Sequence, residues 1–231
     1  MNNIMSNLKS LGSPEKAQHL KRFFKTGPGE YGEGDIFWGI TVPLIRKTAR
    51  EHKHLDVQQL GKMLEHEVHE VRLCALLIMV LQAKTAPDQM YNVYLKKTHC
   101  INNWDLVDLS APTIVGNFLI NKDCSVLYTL AQSKIVWERR IAIIATYAFI
   151  RKGEYAHTLK LAKMLINDRH DLMQKAVGWM LREVGKRCSM PTLEDFLEEH
   201  AATMPRTALR YSLEHMTPEK KHYFMHAKFR I

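Results

Sequence analysis

The chain is short of the residues that staple small proteins or hold metals. Its 231 residues include four cysteines, Cys74, Cys100, Cys124 and Cys188. They lie far apart, with no Cys-x-x-Cys pair and no clustered Cys/His spacing suited to zinc. This excludes a disulfide-dense secreted scaffold and fits a reduced, cytoplasmic compartment. Long hydrophobic runs are missing too. The longest, "LCALLIMVL" (73–81), has about half the length that spans a bilayer. The opening "MNNIMSNLKSLGSPEK" has no basic region leading into an apolar stretch. No signal peptide, transmembrane helix or membrane partner is expected. Alternation of period two with turn signals is scarce, which leaves little for β-structure.

Several chemistries fall away in the same manner. "HEVHE" (66–70) starts like a zincin helix, but Glu70 stands where that motif needs histidine. The other histidines are scattered, so no metal is expected. The glycines at 27, 29, 32 and 34 are followed by no Gly-Lys-[Ser/Thr] and preceded by no strand, so they read as a flexible connector and not as a phosphate loop. No Gly-x-Ser-x-Gly elbow supports acyl transfer.

What the chain has is positive charge and helical periodicity. Lys and Arg total 33 against 24 Asp and Glu, a formal net charge of +9, which favours a polyanionic partner, nucleic acid ahead of membrane. Apolar residues recur at three- and four-residue spacings almost throughout, which predicts an all-α protein. Breakers at 26–35, Pro43, 84–89, Pro112, Gly153, 167–171, Pro191, Pro205 and Pro218 cut it into helices of about ten to eighteen residues.

Several of these helices share a polar start, a basic residue, a small alanine and an aliphatic run. The copies are "HEVRLCALLIMVL" (69–81), "WERRIAIIATYAF" (137–149), "LMQKAVGWMLREV" (172–184) and, more weakly, "MPRTALRYSLEHM" (204–216). Ala142, Ala176 and Ala208 are separated by 34 and 32 residues, and Ala75 precedes Ala142 by 67. Such a period implies a helical-repeat solenoid, whose small residue lets paired helices approach and whose concave face carries function. Residues 1–231 are expected to form one domain.

Within "CINNWDLVDLSAP" (100–112), Asn102 or Asn103 can cap a helix whose first turn holds Trp104 and Asp105. The helix dipole and free amides suffice to explain Asp105. They do not explain Asp108, which falls one turn after Trp104 and projects from the same face. A carboxylate beside an aromatic plane suits a cationic ligand, although the same spacing also serves at the wet edge of a core. Trp137 and Trp179 share the repeat's register, and Gly178 before Trp179 signals a close helix contact. Lys47, Arg50, Lys96, Lys97, Arg139, Arg140, Lys175, Arg182 and Lys186 would suit phosphate contacts, though solvated surface is the plain alternative for most.

Taken together, "FWGITVPLIR" (37–46), "NNWDLVDLSAP" (102–112), "WERRIAI" (137–143) and "QKAVGWMLREVGK" (174–186) resemble the AlkD-type family of DNA alkylation repair enzymes, glycosylases built from HEAT-like repeats. The resemblance implies a concave basic cleft. It also implies hydrolysis, without a cofactor, of the N-glycosidic bond of cationic N3- or N7-alkylated purines in duplex DNA. It gives Asp108 the role of catalytic carboxylate, Trp104 and Trp179 that of aromatic faces, and Arg140 that of cleft arginine. Arg139, Lys175, Arg182 and Lys47 would add DNA contacts. Phe23 stands where some members have tyrosine. The resemblance further implies excision without flipping the base into a pocket, and no obligate protein partner is inferred. The alternatives are a catalytically silent DNA-binding relative and a protein–protein scaffold. Retention of Trp104, Asp108 and Trp179 speaks against the first, and the basic balance against the second.

Overall fold

The computed structural model describes residues 2–227. It is an all-α, helical-repeat protein. Among the described residues there is no β-strand, only an isolated parallel bridge between Ile36 and Val68, and no helix is long and apolar enough to cross a membrane. The chain divides into two compact units, Met1–Phe118 and Leu119–Ile231.

The first unit contains α1 (Asn2–Ser10), α2 (Pro14–Phe23), α3 (Val42–Glu51), α4 (Val57–Leu64), α5 (His69–Gln82), α6 (Pro87–Lys96), a 3-10 turn at Thr98–Cys100 and α7 (Trp104–Ala111). Helix starts follow local chemistry. Ser13 accepts the Lys16 N–H ahead of Pro14, and Asp56 forms a reciprocal capping box with Gln59. The apolar run of the sequence is α5, buried from His69 through Met79 and packed against α3, α4, α6 and α7. A helix apolar on all sides belongs at the centre of a core, and this one does.

Pro112 was expected to stop a helix, yet α7 runs on into a π turn, Pro112–Gly116, before the short α8 (Asn117–Leu119). Proline has no N–H to offer the carbonyl four residues back, so the ladder widens, with the Asn117 N–H reaching the Pro112 carbonyl. Most of the other prolines do mark boundaries: Pro14, Pro43, Pro87, Pro191 and Pro218 sit at the first positions of helices.

The second unit contains α9 (Ser125–Ala131), α10 (Val136–Ala145), α11 (Tyr147–Ile150), α12 (Ala156–Leu165), α13 (Asp171–Arg187), α14 (Met190–His200), α15 (Arg206–Ser212) and α16 (Pro218–Met225). Helix α13 packs on α10, α11, α12, α14 and α15. The alanines that carry the repeat, Ala75, Ala142, Ala176 and Ala208, are all at 0% exposure, as a close-approach position requires. Gly178 has the same use: a Cβ there would lie 2.4 Å from the Ala208 carbonyl oxygen and 2.6 Å from the Tyr211 Cβ.

Candidate functional site

The site begins at the N-terminus of α7. Asn103 caps the helix in extended conformation, its side-chain oxygen accepting the Trp104 N–H at 2.9 Å. Trp104 and Asp108, one turn apart, are both half-buried. The Trp104 ring stacks on Phe24 at 5.5 Å and meets Phe23 edge-on at 6.0 Å. Phe24 is buried, whereas Phe23 is 56% exposed. Behind Asp108 lies Tyr94, buried in the core and sharing a 3.0 Å hydrogen bond with Ser110. Burial pushes the Tyr94 phenol up, and the Asp108 charge adds to that.

Beneath the Trp104 turn lies a polar network that sequence reasoning missed. His69, the first residue of α5, has Nδ1 3.2 Å from Asp35 Oδ2 and Nε2 2.8 Å from Asp105 Oδ2. The Asp35 carboxylate also accepts from Arg72 at 2.6 Å, Asn102 at 3.0 Å and Asn103 at 3.3 Å. All but Asn102 are buried. A carboxylate accepts and does not donate, so an imidazole with ionised carboxylates on both nitrogens carries a proton on each. The electrostatics agree. Burial works against the charged form, but Asp105 and Asp35 outweigh it and raise His69 to about 9. Burial likewise opposes the Asp35 carboxylate, but His69, Arg72 and Asn102 hold it at about 2. Two acids and two bases thus balance out of water. The sequence offers only a faint hint of it: His69, Glu70 and Arg72 are charged or polar residues at the head of an otherwise apolar helix.

Glu70 is spent on the backbone. Its carboxylate accepts the N–H groups of Trp38, Gly39 and Ile40 at 3.1, 2.8 and 3.1 Å. The glycine-rich stretch, expected as a flexible connector, is tied to itself: the Glu30 and Glu33 side chains accept the Gly27 and Gly29 N–H groups, each at 2.9 Å. It leads from Phe24 to Asp35, so both its ends are fastened under α7. Among the described residues no group of three or more His, Cys, Asp and Glu is arranged to hold a metal ion.

The remaining expected residues fall as follows. Lys47, on α3 in the first unit, is exposed and lies 4.0 Å from Glu51. In the second unit, Trp179 is half-buried on α13, 6.2 Å from the Tyr147 ring. Arg140, on α10, is 5% exposed and donates to the Leu172 carbonyl. Lys175 pairs with Asp171 at 2.7 Å. Arg139 is held by Asp168 at 2.6 Å and by the carbonyls of Ser133 and Lys134. Arg182 is held by Glu183 and Glu214. Trp137 is buried in the core beside His170. The structure therefore brings Trp104 and Asp108 together on α7, while Trp179, Arg140, Arg139, Lys175 and Arg182 belong to the other unit.

Three comparisons bear on what such a protein is. No curated protein matches the chain. Among solved structures, one described as "Predicted DNA alkylation repair enzyme" from Enterococcus faecalis superposes with a TM-score of 0.68 over 90% of this chain and 97% of its own, at 17% identity. AlkD2 from Streptococcus mutans gives a TM-score of 0.54 at 15% identity, over 87% of this chain and 97% of its own. Another protein from Streptococcus mutans UA159, smu.31, gives 0.52 at 15% identity, over 85% and 96%. At these identities the likeness is one of fold. The family model described as DNA alkylation repair enzyme matches residues 4–216, nearly the whole chain, and the chain belongs to that family.

Proposed function

We propose that this protein is a DNA glycosylase that hydrolyses the N-glycosidic bond of cationic N3- or N7-alkylated purines in duplex DNA. The observation that carries the reading is Trp104 and Asp108, one turn apart on α7 and both partly open to solvent, in a chain of the alkylation repair family. Alkylation has already made the base a good leaving group, so no protonating acid is needed. The barrier lies mainly in the charge that develops on the sugar. A carboxylate facing that charge stabilises it and positions the attacking water, while an indole face beside it attracts the cationic nucleotide.

In this reading Asp108 and Trp104 act on the nucleotide, with Trp179 as a further aromatic face. Arg140, Lys175 and Lys47 meet phosphates. Arg139, Arg182 and Lys175 pair with acidic side chains and Arg140 with the Leu172 carbonyl, so in this reading these four are shared between their local partners and the phosphates. The chain works as an enzyme in the cytoplasm, on duplex DNA, with no cofactor and without extruding the base. The test is release of free base from duplex DNA carrying 7-methylguanine by the purified protein. Release is the expected result. Binding to that duplex with no release would instead favour a silent DNA-binding relative.

A further inference from the structure

We infer that His69 is a positioning residue for Trp104 and Asp108: clamped between Asp35 and Asp105, it fixes the turn from which α7 starts. The functional half of this inference rests on the excision reading above, and the geometric half does not.

Three links run from the His69 ring to Trp104. The first passes through Asp105, the next residue along, whose Oδ2 faces His69 Nε2 and whose Oδ1 accepts the Leu106 N–H at 2.9 Å. The second passes through Asp35 to the Asn103 side-chain amide, and Asn103 in turn accepts the Trp104 N–H. The third is ring on ring: His69 lies 5.0 Å from Phe24, and Phe24 stacks on Trp104. The chain reaches Trp104 from below, from the capping residue and from its own face. Asp108 sits one turn further on the same helix, so whatever tilts the start of α7 moves both side chains together. Phe37, stacked on the other members at 4.7 Å from His69 and 5.1 Å from Phe24, closes the assembly.

His69 touches nothing that reacts, since it is 1% exposed and both its nitrogens are occupied. A buried charged cluster is also a poor choice for stability alone, because apolar groups of similar volume often do as well or better. What it supplies over an apolar core is directional contact at fixed distances.

The experiment uses the full chain with the indole nitrogens labelled by 15N, comparing wild type with His69→Gln, which keeps one donor and loses the charge. The Trp104 signal is identified by its loss in Trp104→Phe. The inference expects the Trp104 indole resonance to shift while those of Trp137 and Trp179 stay in place. It also expects single-turnover base release per folded molecule to fall by about ten- to a hundredfold, with DNA affinity within about twofold. An unmoved Trp104 signal, or a moved signal with an unchanged rate, overturns the inference and leaves His69 a core residue. If the wild type releases no base, the excision reading fails on its own, and the indole shift still decides whether His69 sets the Trp104 turn. Should His69→Gln not fold, Asp105→Asn removes the charge at the same contact and is read the same way.

Discussion

His69 Nε2 and Asp105 Oδ2 stand 2.8 Å apart in the core, and this one contact changes the meaning of Asp105. The start of α7 needs an acidic residue for no special reason beyond its free amides and dipole. The structure gives that acid a second duty, as counter-ion to a buried imidazolium whose other side is held by Asp35.

Stability should therefore depend on pH in a defined window. His69 is raised to about 9 in the folded protein, against about 6.5 for an unperturbed histidine. A raised pKa contributes stability that is complete below about 6.5 and is lost as pH rises through about 9. Asp35, held at about 2, stays ionised throughout that range. Thermal melts from pH 6 to pH 9.5 should show the wild type losing stability with rising pH, and His69→Gln showing a flatter profile. Parallel slopes would mean that His69 does not carry the proton. At neutral pH His69→Ala should cost about 3–5 kcal/mol, because it strands two carboxylates against one guanidinium.

Asp108→Asn keeps the shape of the side chain and removes the charge facing the sugar cation. Single-turnover excision of 7-methylguanine should fall by about a hundredfold or more, while affinity for the same duplex changes little. Excision at the wild-type rate would remove Asp108 from the catalytic role.

Gly178 gives a prediction independent of function. Its missing Cβ is what lets α13 approach α15, since the atoms in the way, the Ala208 carbonyl and the Tyr211 Cβ, are not the ends of flexible side chains. Gly178→Ala gains about 1 kcal/mol of helix propensity and loses about 1–3 kcal/mol by forcing the helices apart. A net fall in melting temperature is expected. A rise would show that the two helices can separate at little cost.

Arg140 and Lys175 separate phosphate contact from lesion recognition. Arg140→Ala, and more mildly Lys175→Ala, should weaken binding to damaged and undamaged duplex alike and flatten the salt dependence by about one phosphate contact each. Arg140 also donates to the Leu172 carbonyl, so melts are needed beside the titrations, with about 1 kcal/mol of stability at stake. Affinity lost for damaged DNA alone would contradict the assignment.

The fold was legible because helical periodicity is dense and prolines sit where helices begin. Ala75, Ala142, Ala176 and Ala208 could be picked out as close-approach positions because small residues recurring at one register of a repeat have few other uses. Gly178 was legible for another reason: a glycine inside a helix costs about 1 kcal/mol relative to alanine and so signals a close approach. Pro112 was misread as a stop, because a helix can absorb a proline by widening one turn. The network at Asp35, His69, Arg72 and Asp105 was not legible, since its contacts join residues 34 to 37 positions apart along the chain and each residue has a local explanation that suffices. Only the folded chain places two carboxylates on one imidazole. Likewise, nothing local distinguishes Arg139, locked to Asp168, from its neighbour Arg140.

Trp104 offers the sharpest division between a ligand face and a core residue. If its ring holds the cationic nucleotide, Trp104→Ala should cost roughly 1 to 2 kcal/mol of transition-state stabilisation, and Trp104→Phe less, because a weaker aromatic face remains. The packing complicates this, since the ring rests on Phe24 and against Phe23 and truncation uncovers both. Some stability will be lost in the alanine variant whichever role is right. The two roles part on activity per folded molecule. A packing role lowers activity only with the folded fraction, so melts and single-turnover rates fall in step and phenylalanine rescues both. A ligand role lowers the rate at saturating enzyme while the folded fraction stays complete. Phe24→Leu is the companion variant, because it removes the stacked support while leaving the indole: a rate that falls there too, with Trp104 intact, would show that the orientation of the ring matters as well as its presence. Full activity per folded molecule in Trp104→Ala would leave Asp108 without its aromatic partner and return Trp104 to the core.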